Sequence, residues 1–317
     1  LPENVQLARR ILAAWDARGR AAESLEARLD LGRWFAPGGR GAAGGDQGSA
    51  FGAHALLEAA FLVHEDARAK QDNAGLDRAV GLYREVERLY PASDSLALAY
   101  SSEGEALFDL ARFGEAAEAH GRALTATGAT PERRREAAFG AALARERAAA
   151  AVAYRGVEEK DALGHAIERL ESEAPKDPRV PPLWLSLALG SRDHDDPARA
   201  RRVFEHVAGR DTSEASRRSQ AELGRIALSE NRWLDGEQQY AAAAAAYGTA
   251  GDGAEQARLT ELAASSRFKG AEDQMAHGDT LGAAGTFATV AGRYPKFARS
   301  DVAVYRAGLA SLAGGKP

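Results

Sequence analysis

Small residues at a fixed spacing constrain this chain more than anything else in it. In three windows an alanine is followed twelve residues later by another, and then, four residues on, by an aromatic ring. Ala60 to Pro91 carries Ala67, Ala79, Tyr83 and Pro91. The window counted from Pro181 carries Ala188, Ala200 and Phe204, with Trp184 and Leu187 ahead of them. Ala264 to Pro295 carries Ala271, Ala283, Phe287 and Pro295. Small residues therefore stand at positions 8 and 20, a ring at position 24 and, in two windows, a proline at position 32. Fainter copies start at Ala97, Arg133, Arg217 and Asp301, with Gly104, Gly224 and Gly308 at position 8. The spacing has a packing explanation. A small residue at position 8 lets two helices of a hairpin approach closely, the one at position 20 faces it, and the ring fills the space between hairpins.

Steps of 36–37 residues separate Ala60 from Ala97, Pro181 from Arg217 and Ala264 from Asp301. The longer steps imply extended helices. In the third copy a first helix is expected from Pro131 to beyond Ala149, and a second over about 160–173, stopped by Ala174-Pro175. This pattern resembles the tetratricopeptide repeat, whose period is about 34 residues. The resemblance covers about 260 residues of the chain. It implies an all-α fold, a right-handed α-solenoid of about six antiparallel helical hairpins, in which each repeat packs on its neighbours.

Outside the repeats, residues 2–17 read as a helix, with Leu7, Ile11, Leu12 and Trp15 at helical spacing behind Pro2. A second helix is expected around 20–35, so that residues 1–36 form an N-terminal pair or cap. Residues 37–49 are rich in glycine. A phosphate-cradling loop needs Gly-Lys-Ser/Thr after a strand, and neither is present, so this stretch reads as a flexible connector. The superhelix is then expected over 50–317. Six alanines, 241–246, favour helix and present a narrow face, suited to a tight helix seam or to a slot for a partner helix. Asp301 to Leu312 matches only the first helix of a repeat. The last repeat is therefore expected to be incomplete, with the native chain continuing, a partner covering this helix, or the helix itself serving as the cap.

The charge is spread rather than striped. Acids and bases nearly balance at a net −5, which argues against a nucleic-acid binder. Arg133, Arg134 and Arg135 read as a solvated first helical turn behind Pro131. There is no cysteine, which excludes thiol catalysis, thiolate zinc sites and disulfides. No run of 18 apolar residues occurs, so no transmembrane segment is expected. The sequence opens on Leu1, which points to a removed signal or anchor, or to excision from a longer protein.

Two junctions carry a narrower resemblance. Tyr83-Arg84-Glu85-Val86-Glu87-Arg88-Leu89-Tyr90-Pro91-Ala92-Ser93 and Phe287 through Arg293-Tyr294-Pro295-Lys296-Phe297-Ala298 share an aromatic-x6-Tyr-Pro pattern. That pattern is similar to bacterial envelope tetratricopeptide proteins of the outer-membrane-assembly lipoprotein and Tol–Pal coordinator types. Leu31-Gly32-Arg33-Trp34-Phe35-Ala36-Pro37-Gly38 is similar to envelope repeat proteins of gliding myxobacteria. These likenesses imply a periplasmic or outer-membrane-associated place, with a cytoplasmic one still open.

In the resembled family the first helices line a concave groove. Its groove positions 2, 5, 9 and 12 fall here on His64 and Arg68, Glu105 and Phe108, Arg218 and Arg225, Phe268 and Glu272, and Tyr305. The family branch that grips chain-terminal carboxylates uses Lys at position 5 and Asn at position 9. Here His64 and Arg68 stand there, which argues against that capture. A groove of rings, apolar side chains and arginines suits a peptide segment or domain of a partner protein.

Catalytic and metal motifs are missing. The seven histidines form no His-Glu-x-x-His pair, and no Gly-x-Ser-x-Gly elbow occurs. His120 stands where a ring belongs and reads as core. Arg192-Asp193-His194-Asp195-Asp196 reads as capping of a helix at Pro197. The sequence thus points to a non-catalytic scaffold or adaptor with no cofactor and no metal. Two other readings stay open: self-assembly through the C-terminal helix, and the non-catalytic arm of a larger envelope enzyme.

Overall fold

Six helices of the computed structural model open on a side-chain cap. The structure describes residues 2–194 and 196–315. These form fifteen α-helices, with no strand among the described residues. In the first part they are α1 (Pro2–Ala17), α2 (Ala21–Trp34), α3 (Gly45–Lys70), α4 (Asn73–Leu89), α5 (Leu96–Asp109), α6 (Phe113–Ala123), α7 (Pro131–Ala151) and α8 (Val157–Glu173). Next come α9 (Val180–Asp193), α10 (Pro197–Val207), α11 (Glu214–Ser229) and α12 (Trp233–Thr249). The last are α13 (Gly253–Ala276), α14 (Thr280–Arg293) and α15 (Ser300–Ala313). Asp72, Thr130, Asp196, Ser213, Asp252 and Asp279 each accept a backbone N–H in the first turn of the helix that follows, satisfying a group the helix leaves unpaired.

The chain divides into two compact units between Leu183 and Trp184, within α9. In the first unit each helix from α1 to α8 packs on the next, and the alternate helices α3, α5 and α7 also touch in turn. Its core holds Leu56, Leu57, Tyr83 and Leu107, all essentially inaccessible to solvent. In the second unit α10 to α15 pack in the same successive manner. Its core runs through Tyr240, Phe268, Phe287 and Val290. Burying each such ring or branched chain contributes about 1.5–3 kcal/mol.

The small residues of the sequence pattern do sit at close approaches. A Cβ on Gly236 would lie 3.4 Å from the Gly224 carbonyl of the facing helix, so positions 8 and 20 meet. A Cβ on Gly224 would lie 3.0 Å from the Tyr240 ring, so position 8 also carries the ring of position 24. The first hairpin departs from the others. Ala111 and Asn231 turn the chain at repeat position 15 with φ of 56° and 59°, whereas Gln71 does so at position 12 with φ of 53°. The tip therefore lies about one helical turn earlier, and Ala67 meets the Cβ site of Gly75, at 2.7 Å, as well as sharing the core with Ala79.

The glycine-rich stretch is a packed turn rather than a flexible connector. The N–H groups of Gly39 and Gly41 donate to the carbonyls of Ala36 and Trp34, both at 2.8 Å. Ala42–Gly44 form a 3-10 turn and Gly45 already opens α3. A Cβ on Gly48 would lie 2.9 Å from the Phe35 ring, which is buried against Phe51. Gly41, Gly44 and Gly48 leave room for that ring, while Gly38 and Gly45 take φ of 78° and 58°.

Candidate protein-binding surface

Helices α3 and α5 touch as alternate helices, and four of the sequence candidates stand on them. Arg68 on α3 donates through Nε to Asp109 at 2.7 Å and lies 3.8 Å from Glu105 on α5. Both Arg68 and Glu105 remain about half exposed. Phe108 is partly buried, its ring edge-on to Phe113 with centroids 5.1 Å apart. His64 does not belong to this surface. It is 2% exposed, with Nδ1 3.2 Å from the Tyr83 hydroxyl and Nε2 3.2 Å from Asp109. That imidazole ties α3, α4 and α5 together. The sequence reasoning missed Asp109, which no repeat position singles out.

In the second unit Arg218 and Arg225 project from α11 and are exposed. Arg225 donates to Glu222 at 2.8 Å, and Arg192 on α9 reaches the same carboxylate at 2.8 Å. Burial pushes the Glu222 carboxyl up, but the hydrogen bonds from Arg225 and Arg192 outweigh it and hold the group below the usual carboxylate range. Glu272 on α13 pairs with Arg306 of α15 at 2.5 Å and with Arg299 at 3.6 Å. Phe268 is the second correction. At 1% exposure it is a core ring against Phe287, covered by the Arg299 guanidinium at 3.9 Å. Tyr305 on α15 is 68% exposed, beside exposed Val304, Leu309 and Leu312.

His64 and Phe268 are buried for one reason. On a helix that packs against two neighbours, a ring beside the packed face turns inward to bury its area. The exposed charges at positions 2 and 9 have no such pull.

The tyrosines of the two Tyr-Pro junctions tie together residues 58 and 57 apart in the sequence. Tyr90 donates its hydroxyl to the Gly32 carbonyl on α2, and burial pushes its pKa up to about 12. Tyr294 donates to the Glu237 carboxylate on α12. Its pKa is raised by burial and by that acceptor. Glu237, 4% exposed, also accepts from Arg267 and Arg293, each at 2.9 Å. Nothing at its repeat position distinguished this glutamate in the sequence.

His120 sits between Gly104 of α5 and Gly140 of α7, where a Cβ would come within 2.7 and 2.6 Å of its ring. Burial lowers its pKa from 6.5 to about 4, so the ring is neutral core. The basic run at 133–135 opens α7, where Arg134 pairs with Glu173 and Arg135 with buried Asp177. Asp196 caps α10 at the Arg199 N–H, 3.2 Å away. Asp195 of that cluster lies outside the described residues. Among the described residues no group of three His, Asp or Glu side chains is placed to hold a metal ion, and no helix is long and apolar enough to cross a membrane. Compared with known proteins, the chain matches no family model and shows no significant similarity to a curated protein.

Proposed function

We propose that this chain is a non-catalytic scaffold of the tetratricopeptide type, a right-handed solenoid of helical hairpins that grips a peptide or domain of a partner protein. The observation that carries the reading is the contact of the alternate helices α3, α5 and α7, with the charged side chains of Arg68 and Glu105 left half exposed on neighbouring first helices. Such a face offers charge-assisted hydrogen bonds at low cost in side-chain burial. Arg218, Arg225 and Glu272 supply charges of the same kind in the second unit. A place in a bacterial cell envelope is supported by the Tyr90-Pro91 and Tyr294-Pro295 junctions and by a sequence without cysteine.

Arg225→Glu tests the reading, because its side chain is 51% exposed and its reversal should leave the helices intact. The variant is expected to lose the partner captured by the wild-type protein in crosslinking and mass spectrometry from its native cells, with an unchanged circular dichroism spectrum. Undiminished capture by a folded variant would count against the scaffold.

A second reading has its own observation. Val304, Tyr305, Leu309 and Leu312 make an exposed apolar face on α15, between 47% and 68% exposed, and faces of this kind mark association sites. Self-association predicts a concentration-dependent mass in sedimentation that Tyr305→Glu with Leu309→Glu removes. A monomer at every concentration would rule it out.

A further inference from the structure

The second unit holds a cavity of about 550 Å³ against α12, walled by Leu234, Gln238, Ala241 and Ala242 and rimmed by Arg267 and Arg293. Its chemistry is unlike that of Glu103, another buried carboxylate clamped by two arginines. Glu103, 1% exposed, accepts from Arg84 and Arg122, each at 2.6 Å. There Arg84 also pairs with Glu115 and Arg122 with Glu87, so each cation meets two carboxylates. At the cavity, Arg267 and Arg293 share Glu237 alone among the described residues. One positive charge is left over. Nε of Arg267 is buried out of a ligand's reach, while the side chain as a whole stays 21% exposed and lines the cavity. Arg293, 54% exposed, stands at the mouth with one of its nitrogens on Glu237.

The alanine run makes the room. Ala243 and Ala244 are buried in the helix seam, while Ala241 and Ala242 turn a methyl-lined wall to the cavity. A ligand here meets two arginine forks and an apolar wall. One negative charge neutralises the surplus. A phosphate monoester, close to two charges at neutral pH, would leave an excess anion beside buried Glu237. We propose that this cavity binds an organic carboxylate, its oxygens held by Arg267 and Arg293 and its hydrocarbon laid on Ala241, Ala242 and Leu234. The site shares no residue with the groove set and stands whether or not that groove binds a partner. The carboxylate comes either from a free small acid or from an acidic side chain of a protein.

The test follows arginine Nε–H and backbone resonances of the full 15N-labelled chain during titration with sodium butyrate at constant ionic strength. Shifts confined to Arg267, Arg293 and α12, saturating with a Kd near ~1 mM, are expected for a two-arginine clamp on a small acid. Arg293→Gln should weaken binding about tenfold or more, since a charge-assisted hydrogen bond is lost. Ala242→Glu, at an exposed wall position, supplies an internal carboxylate and should abolish binding without changing the circular dichroism spectrum. The peptide acetyl-Gly-Glu-Gly-amide, added to the butyrate complex, identifies the source: displacement at similar concentration assigns a protein side chain, and its failure assigns a free acid. Shifts that never saturate, shifts unaffected by Ala242→Glu, or tighter binding of inorganic phosphate at the same resonances would overturn the proposal.

Discussion

Tyr90 and Tyr294 end equivalent second helices, precede a proline alike, and reach back 58 and 57 residues to the second helix of the preceding hairpin. What they find there differs. Tyr90 meets a backbone carbonyl in a space so filled that a Cβ on Gly52 would lie 2.1 Å from its hydroxyl. Tyr294 meets a buried carboxylate shared with two arginines beside a cavity. One signature thus serves as a closed seam in the first unit and as the back wall of a polar site in the second. The Tyr-Pro pattern specifies the tie, and the residues around it decide whether anything else fits.

The sharpest way to break this comparison is to fill the closed side. Gly52→Ala forces a methyl against the Tyr90 hydroxyl and Phe35 Cβ, 2.8 Å from the new carbon. The loss expected in urea denaturation is about 3 kcal/mol, the upper end for overpacking. Gln256 stands at the corresponding place, 38 residues before Tyr294, and is exposed beside a second cavity. Gln256→Ala should stay within about 0.5 kcal/mol of wild type. Equal losses at the two positions would mean that the seams are packed alike.

Glu237 and Glu103 make the next contrast. Glu237→Ala leaves Arg267, four-fifths buried, with no carboxylate. Removing one partner of a buried pair costs about 3–5 kcal/mol, and the exposure of Arg293 places the expected loss near the lower figure. Glu103→Ala leaves Arg84 and Arg122 still paired with Glu115 and Glu87, so about 1–2 kcal/mol is expected. Denaturation midpoints in the reverse order would show that the surplus charge by the cavity is already met within the chain.

A third contrast lies at repeat position 24, where His120 and Tyr240 each cover a position-8 glycine. The folded chain keeps His120 neutral down to about pH 4, while the unfolded chain takes up the proton near 6.5. Its contribution is therefore complete above pH 6.5 and is lost as the pH falls toward 4, by about 3 kcal/mol. His120→Phe should remove that acid-dependent loss from denaturation curves measured between pH 7 and 4. An unchanged pH slope would place the proton uptake elsewhere.

The sequence carried the helices further than the surface. Periodicity, first-turn prolines and capping aspartates are local signals, and they placed α1, α7 and α15 within a residue or two. Spacing of small residues marked the seams because close approach tolerates little else. The flexible reading of residues 37–49 failed because glycine composition reports freedom without showing the ring, Phe35, that lies across those backbones. His64 and Phe268 were misplaced because repeat position gives a helix face but not how far a ring turns inward. Glu237 and Asp109 escaped notice altogether. Their importance comes from arginines 30 and 41 residues away, a distance at which no local pattern speaks.

The smallest effect separates the two ties most directly. Tyr90→Phe keeps the ring and removes the donor to the Gly32 carbonyl, which is buried and loses its long-range partner. About 1–2 kcal/mol is the usual cost of leaving such an acceptor unmet. Tyr294→Phe removes one of three donors to Glu237, and the arginines, both charged and both at 2.9 Å, remain. Less than about 1 kcal/mol should follow, because a charged acceptor keeps its stronger partners. If instead Tyr294→Phe is the more damaging, the hydroxyl must be what holds Glu237 toward Arg267, and the carboxylate-binding cavity would lose its back wall along with the tyrosine oxygen. Measuring butyrate binding by Tyr294→Phe decides the point: an unchanged Kd leaves the two arginines as the holders of that carboxylate.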